Sequence, residues 1–502
     1  MAAAGSWATF AALLLAASVS PFDYSILNVA LPTIARDTRA TSADLEWMVV
    51  SYAIAYVAVM LIGASAGDRL GRRRVLNLGL LAFGLASVGA YMASTPTQII
   101  AARSAMGLGS SLIVPMSLSL IQTSGTAAQR AGAIRIWGAM AGLSLALGPV
   151  AGGALISGSG WRAIFALDAT AAAAALLLSL MFVTESRSAE PGSVDWLGSA
   201  LSVVALLCLL WAFITGAERG WTARWTMSSL LVGNVALLVF LMWERRCAHP
   251  MLDLRLLADK AFHTPLLCLL ATNFALPGAL FVSSQYLQFV LGVDAFGAGL
   301  ALAPLALGMF VTSLLCGRLS ARYGFRRIVL VALSAQALGF LGAAMLTPTH
   351  ATWGFAVALG VSGLGLGLIY VSVVDALLDA TPSHLAGVGA ATQHIGRQVS
   401  AAVGVAVMGA VLAATYARGL PDDNRIASNP HAAAEARKSI GAALSSIDPH
   451  STDLIATVRH AFTNGTQIAL AVGVLSCCGG ILLAWRRLES AAMAVPGTEP
   501  SA

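Results

Sequence analysis

Apolar residues run along this chain in blocks of twenty or so, cut by short clusters of Arg, Asp, Gly and Pro. A helix needs roughly 20 mostly apolar residues to cross the hydrocarbon core of a bilayer. Blocks of that kind fall at 7–32, 47–66, 75–94, 98–121, 131–156, 163–183, 196–215, 226–243, 263–285, 297–316, 328–347, 353–378, 386–414 and 463–485. The pattern therefore predicts an all-α integral membrane protein with fourteen transmembrane helices. Strands of a membrane barrel would be about half as long and would alternate polar with apolar residues, and no such alternation is present. Inside the first block stands Asp23, close to Pro21, where an acid needs a reason.

Composition sharpens the picture. Of 502 residues, 58% are hydrophobic and 10% charged, against about 25% charged in a soluble domain; the mean hydropathy is +0.80. The formal net charge of +6 does not point to nucleic acid, because the basic residues sit in short loops and read as topology signals. Arg69, Arg72, Arg73 and Arg74 share one loop, Arg245, Arg246, Arg255 and Lys260 another, and Arg318, Arg322, Arg326 and Arg327 a third. With fourteen spans these loops lie on one side, which the positive-inside rule makes cytoplasmic, together with both termini. The long segment 415–462 then lies outside, with an amphipathic helix expected near 431–445. Cys208, Cys268, Cys477 and Cys478 fall inside apolar blocks and no Cys/His spacing suits a metal, so neither a disulfide framework nor a metal site is expected. The first block lacks a basic leader and is read as the first span, not a cleaved signal.

A repeat appears when the loops are aligned. "DRLGRRRV" (68–75) matches "ARYGFRRI" (321–328) at a constant offset, with Gly71 over Gly324. Each copy follows a second span and precedes a third. The expected division is a six-helix half at 1–190, two inserted helices and a linker at 191–260, a second six-helix half at 261–490 containing the external segment, and a cytoplasmic tail at 491–502. Internal repeats flanking a midplane site are the architecture of secondary transporters.

The motifs carry a family resemblance over nearly the whole chain. "FDYSILNVALPTI" (22–34), "GDRLGRRR" (67–74), "RSAMGLGSS" (103–111), "GPVAGG" (148–153), "SQYLQFVLG" (284–292), "GRLSARYGFRR" (317–327) and "GRQVSAAVG" (396–404) follow the order of the major facilitator superfamily. The chain resembles in particular its fourteen-span drug:proton antiporters. That resemblance implies two six-helix halves plus two extra helices, alternating access, and export, because the "GPxxGG" element of Gly148, Pro149, Gly152 and Gly153 accompanies antiport in the family. It also departs from the pattern. Ala64 replaces the leading Gly of the loop motif, Met106 stands where Gln is usual, Ala321 where an acid is frequent, and Asp168, after "GWRAIFAL", where Asn is common.

The residues themselves can be weighed one by one. An aspartate at mid-membrane costs roughly 2.5–3.5 kcal/mol on insertion scales, so it faces a cavity or a partner; Asp23 is either a proton carrier or a cap for the chain beside Pro21. Arg103 either snorkels to the interface or, as the resemblance implies, tunes a carboxylate such as Asp23. Asp68, Arg69, Gly71, Arg72 and Arg73 form a tight turn that either sets topology alone or gates, with Asp68 set against the N-terminus of the thirteenth span at "TPSHLAG" (381–387); Arg74 is assigned to topology. Gly138, Gly142, Gly148, Gly152 and Gly153 give the fifth span a small-residue face for close packing. "GLGLG" (363–367) lacks the strand and acidic partner of a dinucleotide site. Asp375, His394 and Arg397 are a candidate buried cluster for substrate or coupling, or a structural ion pair. Tyr24, Tyr52, Tyr56, Phe281, Tyr286 and Tyr370 could line an amphipathic cavity.

Together these features predict a proton-coupled exporter of hydrophobic or amphipathic drugs or antibiotics. It would act as a monomer in the inner membrane, with the proton as coupling ion, no other cofactor, no metal and no nucleic-acid partner. Two alternatives share the fold: proton-symport uptake of a small polar metabolite, and dedicated export of an endogenous secondary metabolite. A membrane enzyme is disfavoured, since the spans hold no clustered Ser/His/Asp or metal-ligand set.

Overall fold

Inside a bilayer a backbone amide has no water to bond, so each apolar block closes its own hydrogen bonds as a helix. The computed structural model describes residues 2–187, 195–247, 254–345, 352–381, 386–420, 435–447 and 450–488. In chain order the helices are α1 (Ala2–Thr38), α2 (Ser42–Leu70), α3 (Arg72–Met92), α4 (Pro96–Thr123), α5 (Ala127–Ser159), α6 (Arg162–Phe182), α7 (Trp196–Arg219), α8 (Arg224–Glu244), the short α9 (Leu254–Ala258), α10 (Lys260–Gln285), α11 (Ala295–Tyr323), α12 (Phe325–Met345), α13 (Thr352–Asp379) and α14 (Ala386–Gly419), and the closing helix is Thr452–Arg487. Thirteen helices among the described residues are long and apolar enough to cross a membrane. The 33-residue α5 is a further long helix, packed between α1 and α11, so the fourteen expected spans correspond to thirteen plus α5.

Helix ends reach past the apolar blocks for a local reason. α2, α4 and α5 begin in capping boxes, in which Thr41, Thr95 and Thr126 accept from the amides of Asp44, Gln98 and Gln129 while those side chains reach back. Such boxes satisfy two otherwise orphaned donors and lie outside the apolar core. The closing helix starts at Thr452, earlier than its apolar block. Of the expected amphipathic helix, Ile440–Ser446 is helical, and 431–434 lie outside the described residues.

The two sets of six helices pack in the same pattern. α2 and α3 lie on α4, α3 and α1 on α6, and α1 on α5; correspondingly α11 and α12 lie on α13, α12 and α10 on the closing helix, and α10 on α14. The repeated loops share a backbone too: Gly71 (φ +112°) follows α2 and Gly324 (φ +81°) follows α11, a region of φ that glycine tolerates without a Cβ clash. Between the sets, α5 packs on α11 and α14 on α2, and α7 covers the seam by touching both α2 and α14.

Hydrogen bonds joining the two sets gather toward the Arg36 end of α1, away from the Gly71 loop. Ser284 donates to the Asn28 carbonyl at 2.6 Å and Gln288 to that of Val29 at 2.8 Å. Ser157 on α5 donates to Asp294, before α11, at 3.3 Å. A single π-helical turn, Tyr286–Val290, continues α10 through this region and carries Gln288.

Candidate functional site

α1 delivers Asp23, α4 Arg103 and α6 Asp168 to one buried point. Asp23 and Arg103 are each 0% exposed and Asp168 2%. Nη1 of Arg103 donates to both carboxylate oxygens of Asp23, at 2.6 and 2.7 Å, and Nε donates to the Met48 carbonyl at 3.2 Å. The Asp168 carboxyl faces both partners and lies within hydrogen-bonding reach of Asp23. Its Oδ2 is buried with no hydrogen-bond partner among the described residues. Thus Arg103 does not snorkel: the guanidinium points inward, with Nη1 on Asp23 and Nη2 buried without a hydrogen-bond partner among the described residues.

Tyrosines extend the cluster. The Arg103 guanidinium lies over the Tyr52 ring, 4.5 Å from its centroid, a cation–π contact that partly replaces lost solvent. The Tyr52 hydroxyl donates to Ser110 at 2.7 Å and is paired with Ser20 at 2.6 Å. Tyr24 and Tyr56 lie against Tyr52, with centroids 6.5 and 6.4 Å away. From there the polar line crosses to the second set of helices, where the Tyr56 hydroxyl meets Nε2 of His394 at 2.9 Å. Arg397, one turn further along α14, stacks on Tyr370 at 4.7 Å, and Tyr370 donates to Oδ1 of Asn273 at 2.6 Å.

Other sequence-selected residues are distributed differently. Asp375 is exposed and its charged neighbour is Asp379, so the expected Asp375, His394 and Arg397 cluster divides: the two basic residues join the tyrosines and the acid does not. Tyr286 also stands apart, stacked on Phe355 at 5.6 Å, where it is packing and not part of the tyrosine line; Phe281 is buried in the core. A concavity of about 550 Å³ opens away from the cluster, between α7 and α8, lined by Leu207, Trp211 and Trp225.

The glycine motif seals the seam. A Cβ on Gly148 would meet Oγ of Ser25 at 2.5 Å, one on Gly152 would strike Ile26, and one on Gly153 would strike the Ala295 carbonyl. Opposite, Gly299 faces the Pro149 carbonyl equally closely. Thus α5 touches α1 beside Asp23 with one edge and α11 with another, and only residues without side chains allow both.

In the loop, the Arg73 amide donates to Glu185 at 3.0 Å and its guanidinium to the Leu180 carbonyl at 2.6 Å. Arg74 lies 3.8 Å from Glu185. These arginines tie the start of α3 to the end of α6. The side chain of Asp68 and residues 382–385 of "TPSHLAG" lie outside the described part, as do the surroundings of Gly138 and Gly142. Arg69 is exposed, and Gly71 is held under the Glu185 carboxyl.

Two buried acids escaped the sequence reading, Glu46 and Glu244. Glu46 is 2% exposed and its carboxyl packs on Gly409 of α14. It lies one residue before the second apolar block, yet it shares a helical face with Val49, Val50 and Ala53, all buried. The i, i+3, i+4, i+7 spacing was the available signal.

Known proteins match this architecture. The sequence profile of the Major Facilitator Superfamily matches residues 13–405. The multidrug resistance protein Stp of Mycobacterium tuberculosis is 31% identical, over 92% of this chain and 88% of its own. The multidrug efflux pump LfrA of Mycolicibacterium smegmatis is 30% identical, over 96% of this chain and 97% of its own, and the methylenomycin A resistance protein of Streptomyces coelicolor is 31% identical over 79% and 84%. Among solved structures, a bacterial homologue of the human lysosomal transporter Spinster, inward-facing and unoccupied, superposes with a TM-score of 0.66 at 16% identity, covering 96% of this chain and 97% of that one.

Proposed function

The chain belongs to the major facilitator superfamily, and on that footing we propose that it is a proton-coupled efflux transporter of hydrophobic or amphipathic organic molecules, drugs and antibiotics among them. The observation that carries the reading is the buried Asp23–Arg103 pair, connected through Tyr52 and Tyr56 to His394 on the opposing set of helices. A titratable group in one half thereby shares a contact line with the face that the other half presents to the centre. The names of the relatives support export: they are multidrug or antibiotic resistance proteins. Proton uptake by the cluster is the step that changes its charge, and a change of charge at the seam is what biases one packing of the halves over the other.

In this reading Asp23 carries the proton and Arg103 is its counter-cation. His394, Arg397, Tyr24, Tyr52, Tyr56 and Tyr370 border the substrate path. Gly148, Pro149, Gly152 and Gly153 close the seam against proton leak, and the loop of Asp68, Arg69, Gly71, Arg72 and Arg73 limits opening at the other end. The arginine-rich loops support a cytoplasmic side for that end and for both termini, in the inner membrane, with the protein acting as a monomer and the proton as its one coupling ion in this reading.

The test uses purified protein in liposomes, with ethidium as a fluorescent organic cation. An imposed pH gradient drives ethidium against its gradient in the wild type, an uncoupler abolishes this, and Asp23→Asn abolishes it while the protein still inserts. Uphill movement by Asp23→Asn at near wild-type rate would remove Asp23 from coupling. Ethidium moving together with protons, in the same direction, would favour symport.

A further inference from the structure

We infer that Asp23 and Asp168 form a single proton site, a carboxyl pair that holds one shared proton beside the fixed charge of Arg103, so that Asp168 is a second proton-binding residue of the transport cycle. This deepens the coupling role proposed for Asp23 and rests on it.

The argument is one of charge and valence. Three ionisable groups meet at a point sealed from water: two carboxyls, at 0% and 2% exposure, and one guanidinium, at 0%. If both carboxyls were ionised while the cluster is sealed, it would hold a net negative charge in low dielectric, a state that like charges disfavour; the sealed cluster therefore keeps one proton and gives it up only where the cycle opens it to water. One proton brings the cluster to neutrality. The hydrogen-bond inventory agrees. Asp23 uses both oxygens on Nη1 of Arg103, as a carboxylate does. Asp168 instead faces Asp23, with Oδ2 buried and unbonded. An ionised carboxylate has about four acceptor positions to fill, and leaving those of Oδ2 empty in the interior is costly, whereas a protonated Asp168 would donate its one hydrogen to Asp23.

The other titratable groups facing the cluster are Tyr52 on α2 and Tyr24 on α1, and the Tyr52 hydroxyl is already engaged by Ser20 and Ser110. From α4, Met106 presents its sulfur to Nη1 of Arg103 at 3.9 Å, so it supplies no competing donor to either carboxyl. The cycle balances: release of the shared proton to water on one side takes the cluster from neutral to one net negative charge, and capture of a proton from the other side restores neutrality. A cationic substrate is accepted best in the deprotonated state, which gives the exchange its either/or character.

Infrared difference spectroscopy on the purified full-length protein at neutral pH reads the proton directly, as the carbonyl stretch of a buried carboxylic acid. The wild type shows this band above any contribution of the other buried acids, Glu46 and Glu244, and both Asp23→Asn and Asp168→Asn lose that part of it, because the carboxyl that remains pairs with Arg103 as a carboxylate. Asp168→Glu keeps it, which guards against loss through misfolding. A band that persists at full intensity in Asp168→Asn, or that survives in Asp23→Asn while vanishing in Asp168→Asn, overturns the shared proton, as does a folded Asp168→Glu without it. A parallel measurement of proton flux during ethidium exchange by the wild type keeps the readings apart: no proton flux defeats the antiport reading, while the infrared band alone decides the pair.

Discussion

Arg103 is fully buried and always charged, so its stability within the bundle depends on which carboxylate faces it. Breaking a buried ion pair by removing one partner typically costs about 3–5 kcal/mol, since the other charge is left uncompensated. Here the arginine is paired with Asp23, and a second acid, Asp168, lies near enough to feel its charge, so Asp168 is expected to take the role when Asp23 is removed. Asp23→Asn and Asp168→Asn are each expected to unfold in detergent within a few degrees of the wild type, and the double variant to lose about 3–5 kcal/mol, read as a marked drop in Tm. Single variants each as damaged as the double would show that the carboxyls do not substitute for each other. Asp23 and Arg103 were legible in the sequence because a charge inside an apolar block stands out. The grouping of Asp168 with them was not, since nothing in the spacing of α1 and α6 states which of their faces meet. Glu46 was hidden by its place at a block edge, where a burial pattern looks like a loop.

Helices, by contrast with their ends, could be read directly: length and apolarity decide whether a segment crosses a membrane, and the loop repeat decides how the copies correspond. What could not be read is the use of the small residues in α5. A stripe of glycines announces close packing but not its partner, and the structure gives it two, α1 through Ser25 and Ile26 and α11 through Ala295. A side chain at Gly153 has to displace backbone on α11, and overpacking of that kind costs about 1–3 kcal/mol. The strain falls on the conformation in which α5 and α11 touch, so Gly153→Val is expected to favour separation at the Arg36 end and to slow transport by about tenfold, the equivalent of about 1.4 kcal/mol. Spin labels placed near Ser157 and Asp294, which are hydrogen-bonded here, should move apart. Unchanged distances together with normal transport would show that this contact is not part of the working cycle.

At the scale of the whole molecule, a single shared proton would fix how membrane energy is used. A charge crossing 100 mV is worth about 2.3 kcal/mol and a pH unit about 1.4 kcal/mol. If one proton enters for each neutral molecule exported, one charge moves and both terms add, to about 3.7 kcal/mol, enough for a gradient of several hundredfold. If one proton enters for each monovalent cation exported, no net charge moves and the pH term acts alone, which limits the gradient to about tenfold per pH unit. If, as proposed, the Asp23, Arg103 and Asp168 cluster passes between one proton and none, ethidium exchange is expected to be electroneutral. In proteoliposomes, nigericin with potassium, which dissipates the pH gradient, should collapse ethidium accumulation, and valinomycin with potassium, which dissipates the potential, should leave it nearly intact. A neutral substrate of the same transporter should respond to both. Collapse of the ethidium gradient by valinomycin would mean that more than one proton enters per cation. Both carboxyls would then fill and empty in each cycle, and a single shared proton could not describe the site.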